Sequence, residues 1–209
     1  MFDTATLFAY LVASIAIILA PGPAQALVIA RSISDGKKLG VVTGIGLNVG
    51  TIIHAVAAAL GLSAILATSA MAFAVVKYLG AAYLVYLGVK ALLTKEVQQA
   101  ETGSSSASPR QVFRKAVVIG ILNPKVAIFF LAFLPQFVDP QRGSVFWQFL
   151  ILGLILAALD VVYESVLAFV ADSLSGWFTN SQRFAVWRQR VTGVVLIGLG
   201  VRLALTERE

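Results

Sequence analysis

The sequence predicts an all-α integral membrane protein. Six transmembrane helices are expected, arranged as a 3+3 inverted-topology repeat in which the first and fourth helices are broken. Three observations carry this expectation. Of 209 residues, 59% are hydrophobic and 12% charged, with a mean hydropathy of +0.90, whereas soluble domains carry about 25% charged residues. The apolar residues fall into six segments, each long enough for the roughly 20 residues a helix needs to cross a bilayer. A short motif closing the third segment returns at the end of the sixth. This composition excludes a soluble domain, a disordered chain and a nucleic-acid-binding module, so no nucleic acid is expected as a partner. The chain has no Cys, which removes disulfide frameworks, thiol redox pairs and thiolate metal sites.

The first span is read near Leu7–Ile29. It is not read as a cleaved leader, because Met1 to Leu7 contains Asp3 and no Lys or Arg. Pro21-Gly22-Pro23 lies inside it. Each proline removes a backbone donor and crowds the preceding turn, and Gly22 offers no side chain to resist an unwound backbone. A break about two-thirds of the way across the bilayer is therefore expected, with Gln25 just beyond it.

The second span, near Leu39–Ala67, carries Gly40, Gly44, Gly46, Asn48, Gly50 and His54. Positions 46, 50 and 54 stack on one helical face, where small residues let a neighbouring helix come close. Gly44, Gly46 and Gly50 are read as packing glycines. His54 then points into a contact or cavity, and its cost inside a span makes it a candidate proton-coupling group. The third span lies near Phe73–Leu93.

Thr94 to Gln111 is the one long polar stretch and reads as a flexible linker. The fourth span, near Phe113–Phe137, contains Asn123-Pro124-Lys125. Asn123 is a good N-cap and Pro124 suits the first helical position, so a second break is expected there with Lys125 at mid-membrane. Helices restarting at Pro23 and Pro124 would turn free N–H groups and a positive dipole end toward the interior, where a carboxylate can sit.

The fifth span, near Val145–Leu174, holds Asp160 and Glu164 with Tyr163 beside them. Carboxyls four residues apart share a face and repel if both are charged. Such a pair, buried, is expected to hold a proton or a paired cation and to load and release it. The sixth span lies near Val186–Leu205. Tyr78, Trp147, Trp177, Phe178, Phe184 and Trp187 near span ends read as interfacial anchors.

Orientation follows from Lys and Arg. The first, third and fifth connections hold eleven of them, including Arg31, Lys37, Lys38, Arg110, Arg114, Lys115, Arg183, Arg188 and Arg190, and the opposite side holds four. The positive-inside rule places the basic side in the cytoplasm and both termini outside. The repeat is carried by Leu87-Gly88-Val89-Lys90-Ala91-Leu92-Leu93-Thr94 against Leu199-Gly200-Val201-Arg202-Leu203-Ala204-Leu205-Thr206. Residues 1–209 are read as one transmembrane domain, with repeats 1–94 and 112–209 joined by a cytoplasmic linker at 95–111. Three spans per repeat make the copies cross the membrane in opposite senses, an architecture common among secondary transporters.

Pro21-Gly22-Pro23, Gly44, Asn48-Val49-Gly50 and His54 also form part of a longer pattern. It continues through Lys77-Tyr78-Leu79-Gly80-Ala81-Ala82-Tyr83-Leu84, Asn123-Pro124-Lys125, Phe129-Phe130-Leu131 and Pro135-Gln136-Phe137. This pattern resembles the LysE (lysine exporter) superfamily over nearly the whole chain, and most closely its homoserine/threonine efflux branch. The resemblance implies a multi-pass carrier of the bacterial inner membrane that exports amino acids or their derivatives, homoserine-, threonine- or leucine-like, by proton antiport; the termini placed outside by the basic residues would then be periplasmic. It implies no enzyme activity and no cofactor, and it is compatible with a homo-oligomer. Pro21, Gly22, Pro23, Gln25, Asn48, Asn123, Pro124 and Lys125 are the candidate substrate-binding residues. His54, Asp160 and Glu164 are the candidate proton-coupling residues. A divalent-cation or other small-solute exporter, and a non-transporting membrane scaffold, are the alternatives. No metal-ligating set is expected.

Overall fold

A computed structural model of the chain describes residues 2–20, 22–68, 70–93 and 108–173, and ten positions between 190 and 205. Pro21, most of the linker and half of the predicted sixth span lie outside the described residues. So do Trp177, Phe178, Phe184, Trp187, Arg183 and Arg188. Among the described residues every regular element is helical.

The first predicted span is two helices, α1 (Thr4–Leu19) and α2 (Pro23–Asp35), inclined at 57° to one another. Asp3 caps α1 by accepting the Thr6 amide at 2.7 Å. That hydrogen bond is the main reason its carboxyl lies below the usual aspartate range, so the cap holds at neutral pH and is lost only as acid reaches the lowered value. On α1, Phe8, Val12, Ile15 and Leu19 are exposed at helical spacing, a stripe suited to lipid. Gly36, at φ +83°, makes the turn into α3 in a region side chains rarely adopt.

Helix α3 (Lys37–Thr68, 32 residues) and helix α7 (Val145–Ser173, 29 residues) are the long spans. Both exceed the roughly 20 residues of a perpendicular crossing, as expected. Helix α4 (Ala70–Leu93) occupies the third predicted span. The fourth is again a pair, α5 (Pro109–Ile121) and α6 (Pro124–Ile128), and it bends by 42°. A π-helical turn at Phe129–Phe133 and a 3-10 turn at Leu134–Phe137 continue α6. Pro135 has no N–H to donate and its ring crowds the turn before it, which accounts for the widened backbone. Helix α5 begins at Pro109, inside the stretch read as linker, because Ser108 and Gln111 cap it reciprocally.

Helix α3 is the hub. Along one side it runs parallel to α5: Gly46 lies against Phe113 and Ala116, and Gly50 against Gly120. Along the other it runs antiparallel to α7, with Gly40 near Ala168, Gly44 near Glu164, and Ala55 near Gly153. The predicted 46–50–54 face is thus the α5 face, and it is distinct from the face that carries Gly44 and Asn48. A methyl at Gly50 would strike the Gly120 and Ile121 backbone, which cannot yield as a side chain can. Gly50→Ala is expected to destabilise the protein by about 1–3 kcal/mol, the usual cost of overpacking. Thermal unfolding of the purified variant measures this, and an unchanged Tm would show that the crossing is looser.

The core lies between α1, α7 and the turns after α6, where Tyr10, Phe129, Phe130, Phe133, Leu134, Phe149 and Leu152 are buried. The Tyr10 hydroxyl donates to the Leu152 carbonyl at 2.5 Å. Arg142 pairs with Asp3 at 2.7 Å and with Asp139 at 3.1 Å, which brings the N-terminus and the segment before α7 to one end. Lys37 sits over the Phe169 ring at 5.2 Å at the other end.

Candidate functional site

The two breaks face each other. A helix end leaves its last carbonyls without amide partners, and at α1 these are satisfied from elsewhere. The Lys125 ammonium donates to the Ile17 carbonyl at 3.1 Å and to the Ala20 carbonyl at 2.8 Å. The Gln25 side-chain amide donates to the Ile18 carbonyl. On the far side of the break, Gly22 is extended, Pro23 occupies the first turn, and no side chain caps α2. The start of α2 therefore presents amides and a positive dipole end beside the Lys125 side chain; a Cβ at Gly22 would lie 3.8 Å from Lys125 Nζ.

At the second break Asn123 Oδ1 accepts the Lys125 amide at 3.1 Å and Pro124 follows as the first helical residue. His54 Nε2 donates to the Ile121 carbonyl at 2.9 Å and its ring stacks on Phe130. His54 thus serves the end of α5 as Lys125 and Gln25 serve the end of α1.

The acidic residues approach from α7. Glu164 is 2% exposed and accepts the Asn48 side-chain amide at 3.0 Å. The same amide donates to the Gly44 carbonyl at 3.2 Å. With both donors used, Asn48 Oδ1 is left buried with no hydrogen-bond partner, an arrangement that costs about 1–3 kcal/mol unless a ligand or water answers it. Gly44 makes room for the carboxylate, since a Cβ there would lie 3.1 Å from Glu164 Oε2. Asp160, one turn back, is only partly buried. Lys125, Asp160 and Glu164 are near enough to act on one another electrostatically. One ammonium, two carboxyls, an orphan amide oxygen and an uncapped helix start therefore lie around the first break.

Of the residues singled out from sequence, Gly22, Pro23, Gln25, Asn48, Asn123, Lys125, Asp160 and Glu164 gather here, with Gly44 as the opening that admits Glu164. Pro124 is exposed and acts through the turn it starts. Pro21 lies outside the described residues. His54, Gly46 and Gly50 stand on the α5 face, apart from the carboxyls. A buried Arg31–Asp35 pair at 2.6 Å on α2 was not read from the sequence, although its i,i+4 spacing was visible. The carbonyls of Ile17, Ile18 and Ala20 leave no signal in side-chain identity.

Comparison with known proteins adds a family. The LysE type translocator family matches residues 15–207. An uncharacterized membrane protein of Bacillus subtilis, YrhP, is 33% identical over 96% of this chain and 99% of its own length. An uncharacterized membrane protein of Pseudomonas aeruginosa is 36% identical over 93% of each chain. A leucine efflux protein of an Enterobacter strain is 28% identical over 97% of each. No solved structure matches the chain.

Proposed function

The chain belongs to the LysE type translocator family, and from that premise we propose that it is a secondary transporter exporting amino acids or their derivatives by proton antiport. The observation that carries this reading is the buried Asn48–Glu164 pair beside Lys125 and the break before α2. A substrate carboxylate would meet the α2 amides and the Lys125 ammonium. Its ammonium would meet Asn48 Oδ1 and the Glu164 and Asp160 carboxyls, which release a proton as the amine arrives and take one up as it leaves.

The inverted repeat, 1–94 against 112–209, belongs to the same proposal. It is supported by the antiparallel course of the first and fourth segments, which meet at Ala20–Lys125 and again at Asp3–Arg142. The breaks then lie near a pseudo-twofold axis, where carriers of this architecture bind substrate. A bacterial inner membrane with periplasmic termini completes the reading, and the basic connections support the orientation. The rival cargo, a divalent cation, takes six or more oxygen ligands, and the site brings two carboxyls; growth assays under metal stress separate the two.

The test is efflux from cells loaded with a panel of dipeptides, which intracellular peptidases convert to amino acids. Overexpression is expected to raise the efflux of at least one neutral amino acid, leucine among the first to try given the leucine efflux relative. Efflux equal to that of empty cells for the whole panel would remove amino acids as the cargo.

A further inference from the structure

Lys125 belongs to the fourth segment, yet its ammonium is spent on the first. Two of its three N–H donors go to the Ile17 and Ala20 carbonyls, at the negative end of α1. The Gln25 amide closes the carbonyl between them. Asp160 and Glu164 lie within electrostatic range of the same ammonium. Unwound carbonyls at the C-terminal end of a half-helix are the groups with which broken-helix carriers coordinate a coupling sodium ion. Here a side-chain nitrogen stands among them.

We propose that Lys125 is a tethered cation filling a monovalent-cation site built from the Ile17 and Ala20 carbonyls. The site needs a positive charge to hold the end of α1, and the chain supplies it covalently from the opposite half. Two consequences follow. The free ion is dispensable, so the protein gains nothing from sodium. The break in the first segment is fastened to the Asn123 break in the fourth, so the two ends move together. The second consequence rests on the transport reading, whereas the site itself does not.

The test therefore reads stability rather than transport. The full chain is purified and unfolded thermally in sodium chloride, choline chloride or ethylammonium chloride at equal ionic strength. The unsubstituted protein is expected to give the same Tm in all three. Lys125→Ala is expected to lower Tm by roughly 5 °C in choline, the scale of one or two charged hydrogen bonds in a chain this size. Sodium or ethylammonium should restore at least half of the loss by binding the vacated carbonyls. Lys125→Met, which keeps the reach and loses the charge, should fall similarly and recover in neither salt, because its side chain obstructs the site.

A Tm of the unsubstituted protein that rises specifically in sodium would overturn the proposal. So would a Lys125→Ala protein indifferent to both cations, or one that yields no folded protein in any of the three salts, since a refilled site should support the fold. A protein that transports no amino acid can still pass this test, which separates its failure from that of the exporter reading.

Discussion

Glu164→Gln is expected to reduce export by about 100-fold or more, the scale on which a positioned acid–base group acts, while the protein remains folded in the membrane. Glu164 is buried and its carboxyl accepts the Asn48 amide. Glutamine has the same shape and keeps a carbonyl oxygen for that bond, so packing against Gly44 and the bond, worth about 1 kcal/mol, survive. What disappears is the ability to exchange a proton for the substrate amine. Asp160→Asn is expected to lower export by a smaller factor, because Asp160 is less enclosed and its role is shared with Glu164. Rates of amino-acid efflux from cells with matched protein levels measure both. Full export by Glu164→Gln would take the carboxyl out of the mechanism and leave the Asn48 contact a packing feature.

The second large effect belongs to the first break. Replacing Pro21 and Pro23 together by alanine restores backbone donors and removes ring crowding worth about 3 kcal/mol per proline in a helix interior. Continuous helix from α1 into α2 then becomes favourable. That would pair the carbonyls of Ile17, Ile18 and Ala20 with amides of the same helix, displacing Lys125 and Gln25, and it would occupy the amides now uncapped at the start of α2. Export is expected to be abolished with protein levels little changed. An intermediate result is informative too: Pro23→Ala alone leaves Pro21 to disrupt the helix and should retain part of the activity. Normal efflux by the double variant would show that the break serves only packing.

Much of this arrangement was legible in the residues. Pro-Gly-Pro and Asn-Pro inside apolar segments marked the breaks because proline's missing donor acts locally, whatever the surroundings. The faces of α3 were legible for the same reason: 46, 50 and 54 share a side by helical geometry alone, and they do pack on α5. The partners across helices were not. Of the two carboxyls on the α7 face, Glu164 is the more buried, because enclosure is decided by Gly44 on another helix. Lys125 was legible as an intramembrane charge but not as the group that fastens α1, since its acceptors are backbone carbonyls, which every residue has. The π-helical turn before Pro135 and the early start of α5 at Pro109 had local signals, a proline within the helix and a Ser108–Gln111 box.

The central claim is that the carboxyl pair beside the break exchanges protons for an amino acid. Its most direct test is flux in proteoliposomes holding the purified chain, with a pH gradient as the sole driving force and labelled leucine, threonine or homoserine as cargo. Accumulation of one of these in the acidic compartment against its own gradient, collapsed by a protonophore and absent with Glu164→Gln, is the result the account predicts. Flux that ignores the pH gradient and proceeds equally well with Glu164→Gln would contradict it.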